Sequence, residues 1–114
     1  MSSGEKDLKE LMELLNNKAF SNSARLGIMI ALYYENRMSF TELLNFSSLP
    51  KSSLSFHLQV LEDEGFIKTY KVFSIGGIRT EIKITDNGKQ IIKKYLSYIK
   101  NLKEENKKIG KFLN

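Results

Sequence analysis

The sequence predicts a mainly α domain carrying a small β-hairpin, an α+β class, on three observations. A short capped helix, a tight polar turn and a second amphipathic helix ending at Gly65 follow one another from residue 39. Two β-rich runs then flank Gly76-Gly77. A long helical segment with an apolar seam closes the chain. This succession is that of a winged helix-turn-helix: a three-helix core plus wing, here with additional N- and C-terminal helices. A single domain over residues 1–114 is expected, with an N-terminal helix at 5–17, the core at 20–85 and a C-terminal helix at 86–109.

The elements follow from local signals. Leu8, Leu11, Met12 and Leu15 have helical spacing, which gives the helix over 5–17. Asn16-Asn17 and Ser21-Asn22-Ser23 separate it from a second helix near 23–35. There Leu26, Ile28, Met29, Ile30, Ala31, Leu32, Tyr33 and Tyr34 leave little polar surface, as suits a central helix covered by its neighbours. Ser39-Phe40-Thr41-Glu42 reads as a capping box: Ser39 accepts from the N3 amide and Glu42 reaches back, with Met38 and Leu43 as the staple. This helix runs to about Phe46, because Ser47-Ser48-Leu49-Pro50 is a polar turn whose proline disfavours helix at the residue before it.

The next helix spans Pro50 to Glu64. Pro50 suits the first turn, where its missing N–H has no intrahelical partner, and Gly65 suits a left-handed exit. Leu54, Leu58 and Leu61 fall on one side at i, i+4, i+7. Ser52, Phe56 and Gln59 point roughly opposite, flanked by Ser55. One side is buried and the other is free to bind.

After Gly65 the pattern becomes extended. Phe66 to Phe73 is rich in β-branched and aromatic residues, and Arg79 to Thr85 alternates Thr80, Ile82 and Ile84 against Arg79, Glu81 and Lys83. These runs predict an antiparallel hairpin connected by Ser74-Ile75-Gly76-Gly77-Ile78, whose glycines can take positive φ. A phosphate-cradling nucleotide loop is not expected, since no Gly-rich Lys-Ser/Thr motif opens a helix here. Thr85 caps the last helix, in which Ile92, Tyr95 or Leu96, Ile99, Leu102, Asn106 and Ile109 mark a seam close to heptad spacing. The seam packs either on the first helix of its own chain or, with that helix, against a second chain. The second is expected, so the candidate dimer interface is Leu8, Leu11, Leu15, Ile92, Tyr95, Ile99 and Leu102.

Four stretches together resemble small winged-helix transcriptional regulators of the MarR/ArsR type, over roughly residues 20 to 100. They are Arg25-Leu26 through Leu32; Ser39-Phe40-Thr41-Glu42-Leu43; Leu54-Ser55-x-His57-Leu58-x-x-Leu61-Glu62-x-x-Gly65-Phe66-Ile67; and Ile84-Thr85-x-x-Gly88. The resemblance implies a homodimeric, sequence-specific DNA-binding repressor or activator. The chain departs from the pattern in its turn, where Ser47 and Ser48 replace a leucine and a small residue or glycine.

Composition is consistent with that expectation. The 114 residues, 41% hydrophobic and 11% aromatic, can bury a core, at a size where dimerisation often adds apolar burial. A formal charge of +5 favours polyanionic partners. Lys89, Lys93, Lys94, Lys100, Lys103, Lys107, Lys108 and Lys111 read as a solvated helix face, and Lys51, Lys71 and Arg79 are the cations expected near DNA. The absence of cysteine excludes disulfides and thiolate metal sites. No apolar run approaches the ~20 residues of a membrane span, and no export signal is seen, so a soluble, cytoplasmic protein is expected.

His57 is the only histidine, which excludes a multi-histidine metal site, and its angle puts it at the edge of the leucine stripe, as a structural residue or, in the alternative, a phosphate or base contact. Glu62, Asp63 and Glu64 diverge on an exposed helix end and read as solvated. No catalytic constellation, cofactor or metal is expected, and the residues name no effector ligand. The expected protein is a homodimer on double-stranded DNA, with helix 50–64 in the major groove and wing 74–79 on the adjacent backbone or minor groove. Lys51, Ser52, Ser53, Ser55, Phe56, Gln59, Lys71 and Arg79 are the candidate contacts, Gln59 offering a donor and acceptor pair to an adenine edge. The alternative is a winged-helix protein-interaction module without DNA-binding activity.

Overall fold

In a computed structural model, which describes residues 3–113, the chain runs α1 (Ser3–Leu15), α2 (Ser23–Glu35), β1 (Arg37–Ser39), α3 (Phe40–Ser47), α4 (Lys51–Asp63), β2 (Ile67–Ser74), β3 (Gly77–Ile84) and α5 (Asp86–Leu113). The apolar α2 is the centre. Its Ile28, Met29 and Leu32 are buried with Leu43 of α3, with Leu54, Leu58 and Leu61 of α4, with Ile82 and Ile84 of β3 and with Ile92 of α5. The leucine stripe of α4 therefore meets the core, which leaves the opposite face to solvent. Among the described residues, no helix is long and apolar enough to cross a membrane.

Several boundaries differ from the sequence expectation, each for a local reason. Helix α1 ends at Leu15, because Asn17 turns the chain: its Oδ1 accepts from Ala19 N at 2.8 Å and its carbonyl from Phe20 N at 2.9 Å. Pro50 is the N-cap of α4, with ψ 147°, and stands outside the first turn. Helix α5 continues to Leu113, past the expected end. The wing turn is shorter than expected, since Ser74 already pairs with Gly77 and only Ile75 and Gly76 connect the strands. Gly77 takes the positive φ, 114°.

The hairpin is also not alone. Arg37–Ser39 forms a third strand on the free edge of β3, giving the order β1-β3-β2 with Met38 opposite Ile82. Half of the predicted capping box is present: Ser39 Oγ accepts from Glu42 N at 3.1 Å. Ser39 is at the same time the last residue of β1, paired with Glu81, and Glu42 stays exposed.

Helices α1 and α5 pair antiparallel into an arm, and the chain measures 61 × 26 × 25 Å along its principal axes. Tyr98 donates its hydroxyl to Glu10 at 2.8 Å and Asn101 donates to Asp7 at 3.3 Å. Burial, then the bond to Glu10 and the neighbouring carboxylates, push the Tyr98 phenol up to about 12. This pairing corrects two members of the expected dimer seam. Ile92 and Leu11 are buried within their own chain, so a second chain has no surface of theirs left to cover. Tyr95 stacks on Phe20, ring centroids 5.9 Å apart, and Leu15 packs at the core margin. Leu8 and Ile99 remain exposed, and Leu102 is half-buried.

The Ile84-Thr85-x-x-Gly88 run has a packing cause. A Cβ added at Gly88 would collide with the backbone carbonyl of Phe66 and the Ile84 side chain. Gly88→Ala should therefore force the start of α5 off the hairpin and destabilise the fold by about 1–3 kcal/mol. Thermal melts test this, and a variant melting at or above wild type would contradict the close approach.

Candidate nucleic-acid interface

The outward face of α4 is built by its leucine stripe. With Leu54, Leu58 and Leu61 inward, the 100° step per residue turns Ser52, Ser55, Phe56 and Gln59 to solvent, and all four are exposed. Lys51 lies in line with the leucine stripe and is exposed because it is the first residue of the helix. Ser53 is half-buried and stands at the edge of this face. Gln59 donates from Nε2 to Asp63 Oδ1 at 2.9 Å, so its amide reads a base only by leaving that partner. Phe56 lies edge-on to His57, ring centroids 5.7 Å apart.

A cleft of about 550 Å³ lies between the start of α4 and the wing, lined by Ser39, Phe40, Thr41, Lys51, Lys71, Ile78, Arg79 and Thr80. Three cations from three elements meet there. In the wing, Lys71 opposes Thr80 and Val72 opposes Arg79, and Lys71 Nζ donates to Thr80 Oγ1 at 2.8 Å. Arg79 pairs with Glu81 through Nε at 2.9 Å while its side chain stays 61% exposed. The Glu81 side chain is largely covered, 11% exposed, so the pair fixes one edge of the guanidinium while most of the Arg79 side chain stays open to a phosphate. The first turn of α3 also borders the cleft, adding the positive end of a helix. This arrangement suits a polyanion's backbone.

Two contacts at the back of α4 were not legible in the sequence. Arg25, on α2, donates from Nε to Lys18 O at 2.8 Å and lies 3.0 Å from His57 Nδ1 through Nη1. A guanidinium only donates, so Nδ1 accepts and His57 is the neutral Nε2–H tautomer. Burial first, and then the Arg25 charge, hold the imidazole below its ordinary value of 6.5. Glu62 is not free in solvent as expected: it accepts from Thr69 Oγ1 at 3.0 and 3.3 Å and fastens the end of α4 to β2. Asp63 is exposed.

Comparison with known proteins agrees with this geometry. A family model described as winged helix DNA-binding domain matches residues 24–103. An uncharacterized protein of Methanocaldococcus jannaschii is 34% identical over 85 residues, covering 75% of this chain and 92% of that one. The solved structure of a transcriptional regulator homologue from Pyrococcus horikoshii OT3 superposes with a TM-score of 0.72 at 35% identity, over 88% of this chain and 96% of the other. A chain from Enterococcus faecalis V583, described as a regulator of the MarR family, gives a TM-score of 0.67 at 15% identity over 97% and 96% of the two chains. That last likeness is one of fold.

The His57 contact generates a pH prediction. A histidine depressed in the folded state contributes stability that is complete above the unfolded value of about 6.5 and is lost as pH falls toward and through the folded value. NMR titration of the lone imidazole should give a midpoint below 6.5. Arg25→Ala should raise that midpoint part of the way, because burial is the larger cause. A wild-type midpoint at or above 6.5 would contradict the assigned tautomer and contact.

Proposed function

The chain belongs to the winged helix DNA-binding domain family, and from that premise we propose that it is a transcriptional regulator that binds duplex DNA as a homodimer. Helix α4 enters the major groove and the wing lies over the adjacent backbone and minor groove. The observation that carries this reading is that Lys51, adjacent to Ser52 where the exposed face of α4 begins, lines one cleft with Lys71 and Arg79 of the wing. The relative from Pyrococcus horikoshii, a transcriptional regulator homologue, supports the same role. Ser52, Ser55, Phe56 and Gln59 face the bases, with Ser53 at the margin, while the three cations hold phosphates.

The dimer reading rests on what the arm leaves uncovered. Asp7 and Glu10 on α1 and Tyr98 and Asn101 on α5 occupy the contact between the two helices. In an antiparallel pair, the 100° step then turns Leu8 and Met12 of α1 to the same side as Ile99 and Leu102 of α5. Leu8, Met12 and Ile99 are exposed. An apolar strip of this kind, continuous with the core margin at Leu15 and Tyr95, suits an isologous interface with a second copy.

Selection of bound duplexes from a random pool tests the function as a whole. The expected product is a paired motif whose affinity falls steeply with salt. A pool that never enriches would overturn the DNA reading in favour of a protein-interaction module. On the selected site, Arg79→Ala should weaken binding to every duplex and reduce the magnitude of the salt slope by about 1. Gln59→Ala should cost on the order of 1–3 kcal/mol on the preferred site and relax choice at one base position. Equal binding of Gln59→Ala and wild type to preferred and scrambled duplexes would remove Gln59 from the reading face.

Assembly is tested separately. Ile99→Glu should place an unpaired charge in the apolar strip and dissociate the dimer without unfolding the chain. Sedimentation at micromolar concentration reads the outcome, and a monomeric wild type sinks the dimer.

A further inference from the structure

The outer end of the wing has a composition that neither the fold nor phosphate binding explains. From Val72 to Ile78 the hairpin carries no charge. Phe73 opposes Ile78 in the ladder, so the two side chains rise on one face, and Ile75 occupies the turn between Ser74 and Gly77. Phe73 is 77% exposed, Ile78 64% and Ile75 109%. A cross-strand aromatic and β-branched pair helps hold a hairpin. An isoleucine at the turn does not, since such positions favour Gly, Asn and Asp.

The hairpin also outruns its sheet. Strand β1 reaches only Glu81 of β3, so from Thr80 outward the two strands stand alone and project roughly 15 Å at ~3.3 Å per residue. By alternation, Phe73 and Ile78 share a face with Lys71 and Thr80, beside the cleft that also holds Lys51 and Arg79. The cations sit at the root and the apolar side chains at the point. An apolar tip laid along phosphates would strip water from charged oxygens with nothing to replace it. The apolar surfaces a minor groove offers are the sugar walls and, once a step opens, the stacked interior between base pairs.

We propose that the wing tip is an apolar wedge. With α4 in the major groove, Ile75 enters the neighbouring minor groove between two base pairs, partly unstacking that step and bending the duplex, while Phe73 and Ile78 lie against the sugars. This rests on the DNA-binding reading above and deepens it. Unstacking is cheapest at flexible pyrimidine–purine steps. The wedge therefore selects such a step at a fixed distance from the bases read by α4, without a hydrogen bond to it.

The test uses the full chain and the duplex selected from the random pool, with 2-aminopurine placed in turn at each flanking step and a dye at each end. Wild type should raise fluorescence at one step per half-site and bend the duplex by about 20–90°. Ile75→Ser, whose side chain is wholly exposed and whose melt should match wild type, should abolish both signals. It should lose no more than on the order of tenfold in affinity, because the forfeited burial is offset by the relieved deformation. Ile75→Lys should also lose the bend, although it adds a charge that would strengthen a mere phosphate contact. A wild type that binds its site with a straight duplex and silent 2-aminopurine at every step overturns the wedge and leaves the DNA reading standing. A tip made for another protein would give that same straight, silent duplex. Signals unchanged in Ile75→Ser also overturn the wedge, and a chain that binds no duplex overturns both readings.

Discussion

The hydroxyl of Thr85 ties together the three elements whose relative orientation makes the candidate DNA face. It donates to the Gly65 carbonyl at 2.7 Å and accepts from Gly88 N at 3.1 Å, while the Thr85 amide donates to Phe66 O at 3.0 Å. Gly65 is where α4 exits, at φ 79°, Phe66 is the root of the wing and Gly88 lies in the first turn of α5. Helix ends leave backbone groups without intrahelical partners, and Thr85 satisfies one at the start of α5 while also pairing the Gly65 carbonyl just beyond the end of α4. The end of α4, the root of the wing and the start of α5 are held to one another at this junction. The absence of a Cβ at Gly88 lets the junction close.

From there the chemistry separates by distance from the core. Close in, apolar packing fixes α4 on α2, and the Arg25 to His57 and Glu62 to Thr69 contacts pin its back and its end. Farther out, the hairpin carries Lys71 and Arg79 to the cleft that Lys51 enters from α4. Arg79 keeps most of its surface despite Glu81, so the pair orients the guanidinium more than it neutralises it. At the far end the charge stops and the wing becomes apolar. Leu8, Met12 and Ile99 stay exposed on the arm of α1 and α5, so the proposed assembly and the proposed DNA contact draw on different residues.

The local devices were legible in the sequence: the Ser39 cap, the Leu54, Leu58 and Leu61 stripe, the Gly65 exit and the Thr85 cap each act within about one helical turn, which is the range sequence patterns report. What escaped depends on neighbours distant in sequence. Three residues of β1 are too few to show alternation, and they are a strand because β3 has a free edge beside them. Ile92 and Ile99 share one heptad seam, yet only Ile92 is buried, because α5 outruns the core and burial depends on where the neighbour stops. The Arg25 to His57 bond joins residues with no common pattern. The Gln59 to Asp63 bond was readable in principle, being an i, i+4 polar pair. For the site, Lys51, Lys71 and Arg79 stood out by type and by place after a helix or in a wing. Their convergence on one cleft is visible only in three dimensions.

The central claim, that α4 reads a major groove while the wing works on the adjacent minor groove, is tested most directly by methylation interference on the selected duplex. Methyl groups at guanine N7 report the major groove and those at adenine N3 the minor groove. The account predicts N7 interference in two half-sites separated by one helical turn, about 10–10.5 base pairs, or a multiple of it. It further predicts N3 interference flanking each half-site on the side where the wing falls. Interference confined to the minor groove, or none at either position in a duplex the protein still binds, would contradict it.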